Sequence, residues 1–140
     1  MKIIFLAAIV LVSNRPVQAQ DSWKIKWNNK TILSANKEDE AANIRSIKLS
    51  DWKKNGNLEI IYKEEIPDTI LWHSFILFDE EDHQLLSREK TLTAKISIQS
   101  LRKLFAGKKQ IKIYTIVSPR NPKFAVRMRR VHLCTLQITQ

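Results

Sequence analysis

Apolar residues alternate with basic or polar ones along most of this chain, and that period of two commits it to half-buried β-strands. Trp23, Ile25 and Trp27 fall on one face of an extended segment, with Lys24 and Lys26 on the other, the pattern of a strand with one face in water. Asn28-Asn29-Lys30 predicts a tight turn, because asparagine tolerates positive φ, and Thr31 to Ser34 returns as the partner strand. Ile47 and Leu49 open a further alternation; Leu58, Ile60 and Tyr62, then Leu92 to Ile98, then Ile111, Ile113 and Thr115 extend the pattern. Phe124 to Ile138 predicts a long terminal strand. The run Ile70 to Phe78 is apolar on both faces, which predicts a central strand covered on both sides. Gln84 to Leu86 turns back after an acidic hairpin tip, Asp79 to Asp82, and the polar run Asn36 to Asn43 predicts an exposed loop. Pro119 and Pro122 bracket another loop. Helical spacing is confined to Ser50 to Gly56 and to Ser100 to Ala106, where Leu101, Leu104 and Phe105 share a face closed by Gly107. Seven or eight strands with one or two short helical turns predict an all-β antiparallel sandwich, immunoglobulin-like as the commonest such arrangement.

The first 19 of the 140 residues fit a secretory signal. Lys2 precedes ten unbroken apolar residues, Ile3 to Val12, and Val17-Gln18-Ala19 is a small-residue exit that predicts cleavage before Gln20. Ten helical residues rise about 15 Å, half of a bilayer core, so this segment does not span a membrane. Residues 20–140 are expected to form a single β-sandwich domain with no transmembrane span, and its destination is secreted or periplasmic. Removing Lys2 and Arg15 from 24 bases leaves 22 against 14 acids, a formal net charge of +8. A basic exported domain favours polyanions such as envelope lipids or acidic glycans. The one cysteine, Cys134, rules out a disulfide framework within the chain.

Two residue sets could carry binding chemistry. Arg120, Lys123, Arg127, Arg129 and Arg130, with Lys112 on the neighbouring strand and Lys108 and Lys109 upstream, form a basic cluster. Guanidinium forks suit phosphate, sulfate or carboxylate, although charges along a strand edge also serve to discourage edge pairing. On a regular terminal strand, Arg127 and Arg129 would share its exposed face, opposite Val126 and Met128. The second set is His132 and Cys134, two apart and so on one strand face, with Met128 further along. Imidazole, thiolate and thioether are copper ligands, which makes copper the alternative cofactor to none. The order of these residues departs from the usual blue-copper loop, and a buried Cys134 and Met128 would serve equally as core.

The acidic runs lack the glycine and spacing of a calcium loop. His73 and Ser74 are adjacent and so point to opposite faces, which breaks a Ser–His relay, and His83 sits in a turn. The tryptophans lie in apolar alternations and offer no stacking platform for single-stranded nucleic acid. No catalytic constellation emerges, so the chain is not expected to be an enzyme.

Lys109-Gln110-Ile111-Lys112-Ile113-Tyr114-Thr115 and Arg129-Arg130-Val131-His132-Leu133-Cys134-Thr135-Leu136 resemble an uncharacterised family of small secreted proteins of the Bacteroidota. The resemblance implies export and a β fold and brings no activity with it. The expectation is a non-catalytic extracytoplasmic binding or envelope-accessory domain with a basic sheet face. Its partner would be another envelope protein or a polyanionic glycan or lipid. A copper-handling protein is the alternative, and an enzyme inhibitor or structural component of a larger complex is a weaker third.

Overall fold

The tryptophan-bearing alternation folds as β1 (Ser22–Trp27) in a computed structural model that describes residues 20–53, 55–125 and 127–140. The signal segment expected at 1–19 lies outside the described residues. Trp23, Ile25 and Trp27 are buried, while Lys24 lies exposed between them. Asn28 and Asn29 adopt φ of 51° and 66°, the two positive angles of a type I′ hairpin, which matches the right-handed twist of the flanking strands. β2 (Lys30–Ala35) returns along β1.

Residues 36–43 then carry the chain to a second sheet, which begins with β3 (Ile44–Lys48). A 3₁₀ turn at Leu49–Lys53 leads into β4 (Asn57–Lys63). β5 (Leu71–Phe78), β6 (Gln84–Arg88), β7 (Thr93–Ser97), α1 (Ile98–Leu104), β8 (Gln110–Pro119) and β9 (Arg130–Thr139) follow. The strands form a β-sandwich of two sheets, ordered β2-β1-β4-β7 and β3-β9-β8-β5-β6. Every pairing is antiparallel except that of β3 with β9.

The inner faces supply the core: Ile25, Leu58, Ile60 and Ile96 from the first sheet, and Phe75, Leu77, Ile111, Ile113 and Leu136 from the second. α1 and the 3₁₀ turn close one end with Leu101, Phe105 and Trp52. α1 opens two residues before the expected Ser100, because Ser97 caps it: its hydroxyl accepts the Ser100 N–H at 3.1 Å. Gly107 beyond it has φ 74°, the left-handed conformation that glycine supplies after a helix end.

Three expectations need correction. The terminal strand starts at Arg130 and not at Phe124: pairing with β8 ends at Ile116 opposite Arg130, and Arg129 turns instead to Glu38. Arg127 and Arg129 therefore lie in the connection before β9, not on a strand face. Ile70 lies outside β5 and is 60% exposed. Residues 36–43 are not simply a solvated loop, since Asn43 is buried and Glu38 accepts the backbone N–H of His132 at 3.0 Å. The two-sided apolar character of β5 has a specific use. Phe75 and Leu77 enter the core, while Trp72 and Phe78 face outward beneath the guanidinium groups of Arg120 and Arg130.

Candidate functional site

The strand registers bring three connections together at one end of the sandwich. Ser22 pairs with Lys63, Ile61 with Thr93, Leu71 with Pro119 and Ile116 with Arg130. The β4–β5, β6–β7 and β8–β9 connections thus emerge side by side. Backbone bonds tie the β6–β7 connection to both sheets: Thr91 N–H donates to the His73 carbonyl at 2.9 Å, and the Leu92 carbonyl accepts the Tyr62 N–H at 2.8 Å. Arg120 joins the first and third, donating to the Asp68 carbonyl at 2.8 Å and to the Leu71 carbonyl at 3.2 Å while its guanidinium lies 3.9 Å from the Trp72 ring centre. Among the described residues, the large apolar side chains left exposed are Leu49, Ile66, Ile70, Leu92, Phe124 and Met128. All but Leu49 sit on these three connections. A concavity of about 300 Å³ opens between them, lined by Glu64, Trp72, His73, Lys90, Leu92 and Arg120.

Beneath this end lies a buried polar chain that the sequence reading did not find. His73 Nε2 is 3.1 Å from a Glu64 carboxylate oxygen, with the two side chains 8% and 10% exposed. His73 Nδ1 lies 3.3 Å from the Thr115 hydroxyl, which itself donates to the Ser74 carbonyl at 3.1 Å. Thr115 has one proton and has spent it on that carbonyl, so its oxygen is left to accept from the imidazole. The Tyr62 ring packs 4.6 Å from the imidazole and stacks in turn on Trp23. Tyr62 also donates its hydroxyl to Asp21 at 2.8 Å, and burial with this carboxylate contact holds the phenol above its ordinary range. The other Glu64 oxygen accepts the Asp68 N–H at 2.9 Å. Asp68 then caps Ile70 and Leu71, and those two N–H contacts keep its carboxyl below the usual range.

Hydroxyl, imidazole and carboxylate occur here in the order of a nucleophile relay. Thr115, however, is 2% exposed and bound to a backbone carbonyl, so its oxygen is not presented to a substrate. What the chain does is hold the β4–β5 connection onto β5. The available signal was an ionisable residue inside an apolar strand.

The basic residues singled out in the sequence divide by partner. Lys112 and Arg130 converge on Asp82 from the outer face of the second sheet, at 3.0 and 3.7 Å. The Arg130 guanidinium also lies 4.6 Å from the Tyr114 ring and 4.9 Å from Phe78. Arg129 pairs with Glu38, and Arg120 is held as above. Lys123 and Arg127 are exposed, and no carboxylate pairs with either among the described residues. Lys108 is taken by Asp79 at 2.8 Å.

His132, Cys134 and Met128 do not come together. The β8–β9 register slips at Leu133: Ile113 pairs with Cys134 but Tyr114, the next residue, pairs with His132. The extra residue is a β-bulge. It turns Cys134 into the core beside Leu133 and Leu136, while His132 packs on the outer face against Tyr114, 5.4 Å between ring centres. The Leu133 carbonyl accepts the indole N–H of Trp23 at 3.0 Å from across the core. His132 Nε2 meets the Thr135 hydroxyl at 2.8 Å, and burial lowers its affinity for a proton. Met128 is 61% exposed, before the strand begins. The expectation that His132 and Cys134 share a face assumed a regular strand, and the bulge removes it.

The acidic tip holds another group of side chains, Asp79, Glu81 and His83, whose ligating atoms lie within 4.8 Å of one another. Asp79 is fully buried and already saturated. One oxygen accepts the N–H groups of Glu81 and His83, both at 2.9 Å; the other contacts Lys108 at 2.8 Å and His83 Nδ1 at 3.1 Å. The Lys108 ammonium, aided by these N–H groups, holds the carboxyl well below its usual range. Asp79 closes the β5–β6 hairpin and pins it to the chain leaving α1. A second concavity, about 390 Å³ and more apolar, lies at this opposite end between Trp52, Phe105, Arg102, Lys109 and Ile138. Comparison with known protein families, curated proteins and solved structures finds no match to this chain.

Proposed function

We propose that this protein is exported and acts as a non-catalytic binding or envelope-accessory domain, recognising a polyanionic partner with the end of the sandwich that carries the β8–β9 connection. One observation carries the reading: the β8–β9 connection together with the first residue of β9, Arg120 to Arg130, holds five bases and no acid, beside the β4–β5 and β6–β7 connections. Clustered connections on a rigid sandwich are a common place for recognition, because the strands fix where the variable segments sit. The strand order supports an immunoglobulin-like reading of the sandwich. β9-β8-β5 lie in one sheet and β4-β7 in the other, the arrangement of strands G-F-C and B-E. Export rests on the signal-like residues 1–19 and on the likeness to small secreted proteins. No helix among the described residues is long and apolar enough to cross a membrane.

Two outcomes are expected. Exported protein begins at Gln20 or within about two residues of it, read by intact mass; retention of Met1 removes the signal assignment. The mature chain is retained on heparin at low salt and released as the Debye length shrinks from about 10 Å at 0.1 M to about 3 Å at 1 M. Lys123→Ser combined with Arg127→Ser elutes at clearly lower salt. Unchanged elution would show that the connection does not bind the polyanion.

A further inference from the structure

We propose that the polyanion is the surface of an anionic lipid bilayer, and that the β8–β9 connection docks on it by combining charge with shallow apolar insertion. The proposal rests on the polyanion reading above and goes beyond it through the exposed apolar residues. Bases and apolar side chains are interleaved along the connection: Lys123 precedes Phe124, and Arg127 and Arg129 flank Met128. Phe124 is 58% and Met128 61% exposed. Ile66 and Ile70, 74% and 60% exposed, lie on the adjacent β4–β5 connection, which Arg120 ties to the base of β8–β9 through Asp68 and Ile70.

A soluble acidic glycan would engage the bases and leave these side chains in water. A lipid–water interface accommodates both, with cations at the phosphates and apolar groups at the level where headgroups meet acyl chains. Guanidinium groups pair with phosphate oxygens in a fork, which suits Arg127 at such a surface. Arg120 and the Glu64–His73 contact anchor the adjacent β4–β5 connection, so Ile66 and Ile70 are already held in place beside the docking segment.

The test compares the mature chain with two variants, Phe124→Ser/Met128→Ser and Lys123→Ser/Arg127→Ser, on vesicles and on heparin. Wild type should co-sediment with vesicles of mixed phosphatidylglycerol and phosphatidylcholine and not with phosphatidylcholine alone. The apolar variant should lose about tenfold or more in vesicle affinity, given the transfer free energy of an aromatic and a thioether side chain, and elute from heparin as wild type does. The basic variant should lose both. A separate reporter, Phe124→Trp, should show a blue-shifted emission on adding the anionic vesicles. Full vesicle affinity in the apolar variant, or no blue shift, would overturn membrane docking while leaving the polyanion reading intact. Heparin retention without any vesicle binding would assign a soluble polyanion instead. Loss of neither property in the basic variant would overturn both readings.

Discussion

Replacing His73 with leucine lowers the free energy of unfolding by about 3 kcal/mol, the upper end of the cost of leaving a buried polar group without its hydrogen-bond partner. The change leaves the Glu64 carboxylate facing an apolar side chain at 10% exposure and deprives the Thr115 hydroxyl of its donor. It also removes the ring packed on Tyr62. Adding Glu64→Leu to His73→Leu should restore most of that loss, since two apolar partners in place of a buried pair are often neutral or better. The interaction between the two changes is then far from additive, as contacting residues require. Urea unfolding at neutral pH measures all three proteins, and a constant m-value shows that the same surface unfolds in each. Glu64→Leu has a second consequence. Its lost oxygen is the acceptor for Asp68 N–H, so amide exchange should accelerate at Asp68. If His73→Leu costs less than about 1 kcal/mol, the range of exposed ion pairs, then Glu64 and His73 are not a buried pair and the β4–β5 connection is held by other contacts.

Much of the sandwich was legible because each strand carries its own instructions. β1 alternates without a fault, Asn28-Asn29 can take two positive φ angles, and Gly107 ends a helical face. These are local properties, and local properties are what a sequence states directly. The bulge at Leu133 is different. Residues Arg130 to Leu136 read as uniform strand, and only pairing with β8 inserts the extra residue that sends His132 and Cys134 to opposite faces. The same distinction applies to the basic cluster. Its members were visible as composition, but Lys112 and Arg130 find Asp82, and Arg129 finds Glu38, only once chain segments far apart in sequence are packed together. Lys123 and Arg127 stand out for that reason as members of this cluster that pair with no carboxylate among the described residues, a distinction that composition alone does not carry. Asp79 reads in sequence only as the start of an acidic hairpin tip. Its burial depends on Lys108, which arrives from beyond α1.

Cys134 should resist thiol reagents in the native protein and react within seconds once the chain is unfolded. It is fully buried opposite Ile113, between Leu133 and Leu136 in the core. Burial pushes the thiol up to about 12, with the Arg45 charge opposing slightly. The thiolate is the reactive form, so both access and ionisation are suppressed. The shift also makes stability depend on alkaline pH with a definite sign. The unfolded thiol ionises near pH 8.5 to 9 and the folded one near 12, so the stability contributed by the neutral buried form is complete below about pH 8.5. It is then lost as pH rises toward 12, at about 1.4 kcal/mol per pH unit. Cys134→Ala lacks this dependence. Between pH 8 and pH 11 wild type should therefore lose about 2 to 3 kcal/mol more than the alanine variant, measured by urea unfolding with a reductant present. The comparison with alanine cancels the contributions that the two proteins share. Rapid labelling of the native protein by DTNB, together with parallel pH profiles for the two proteins, would place the thiol in contact with solvent and contradict its position on the inner side of the Leu133 bulge.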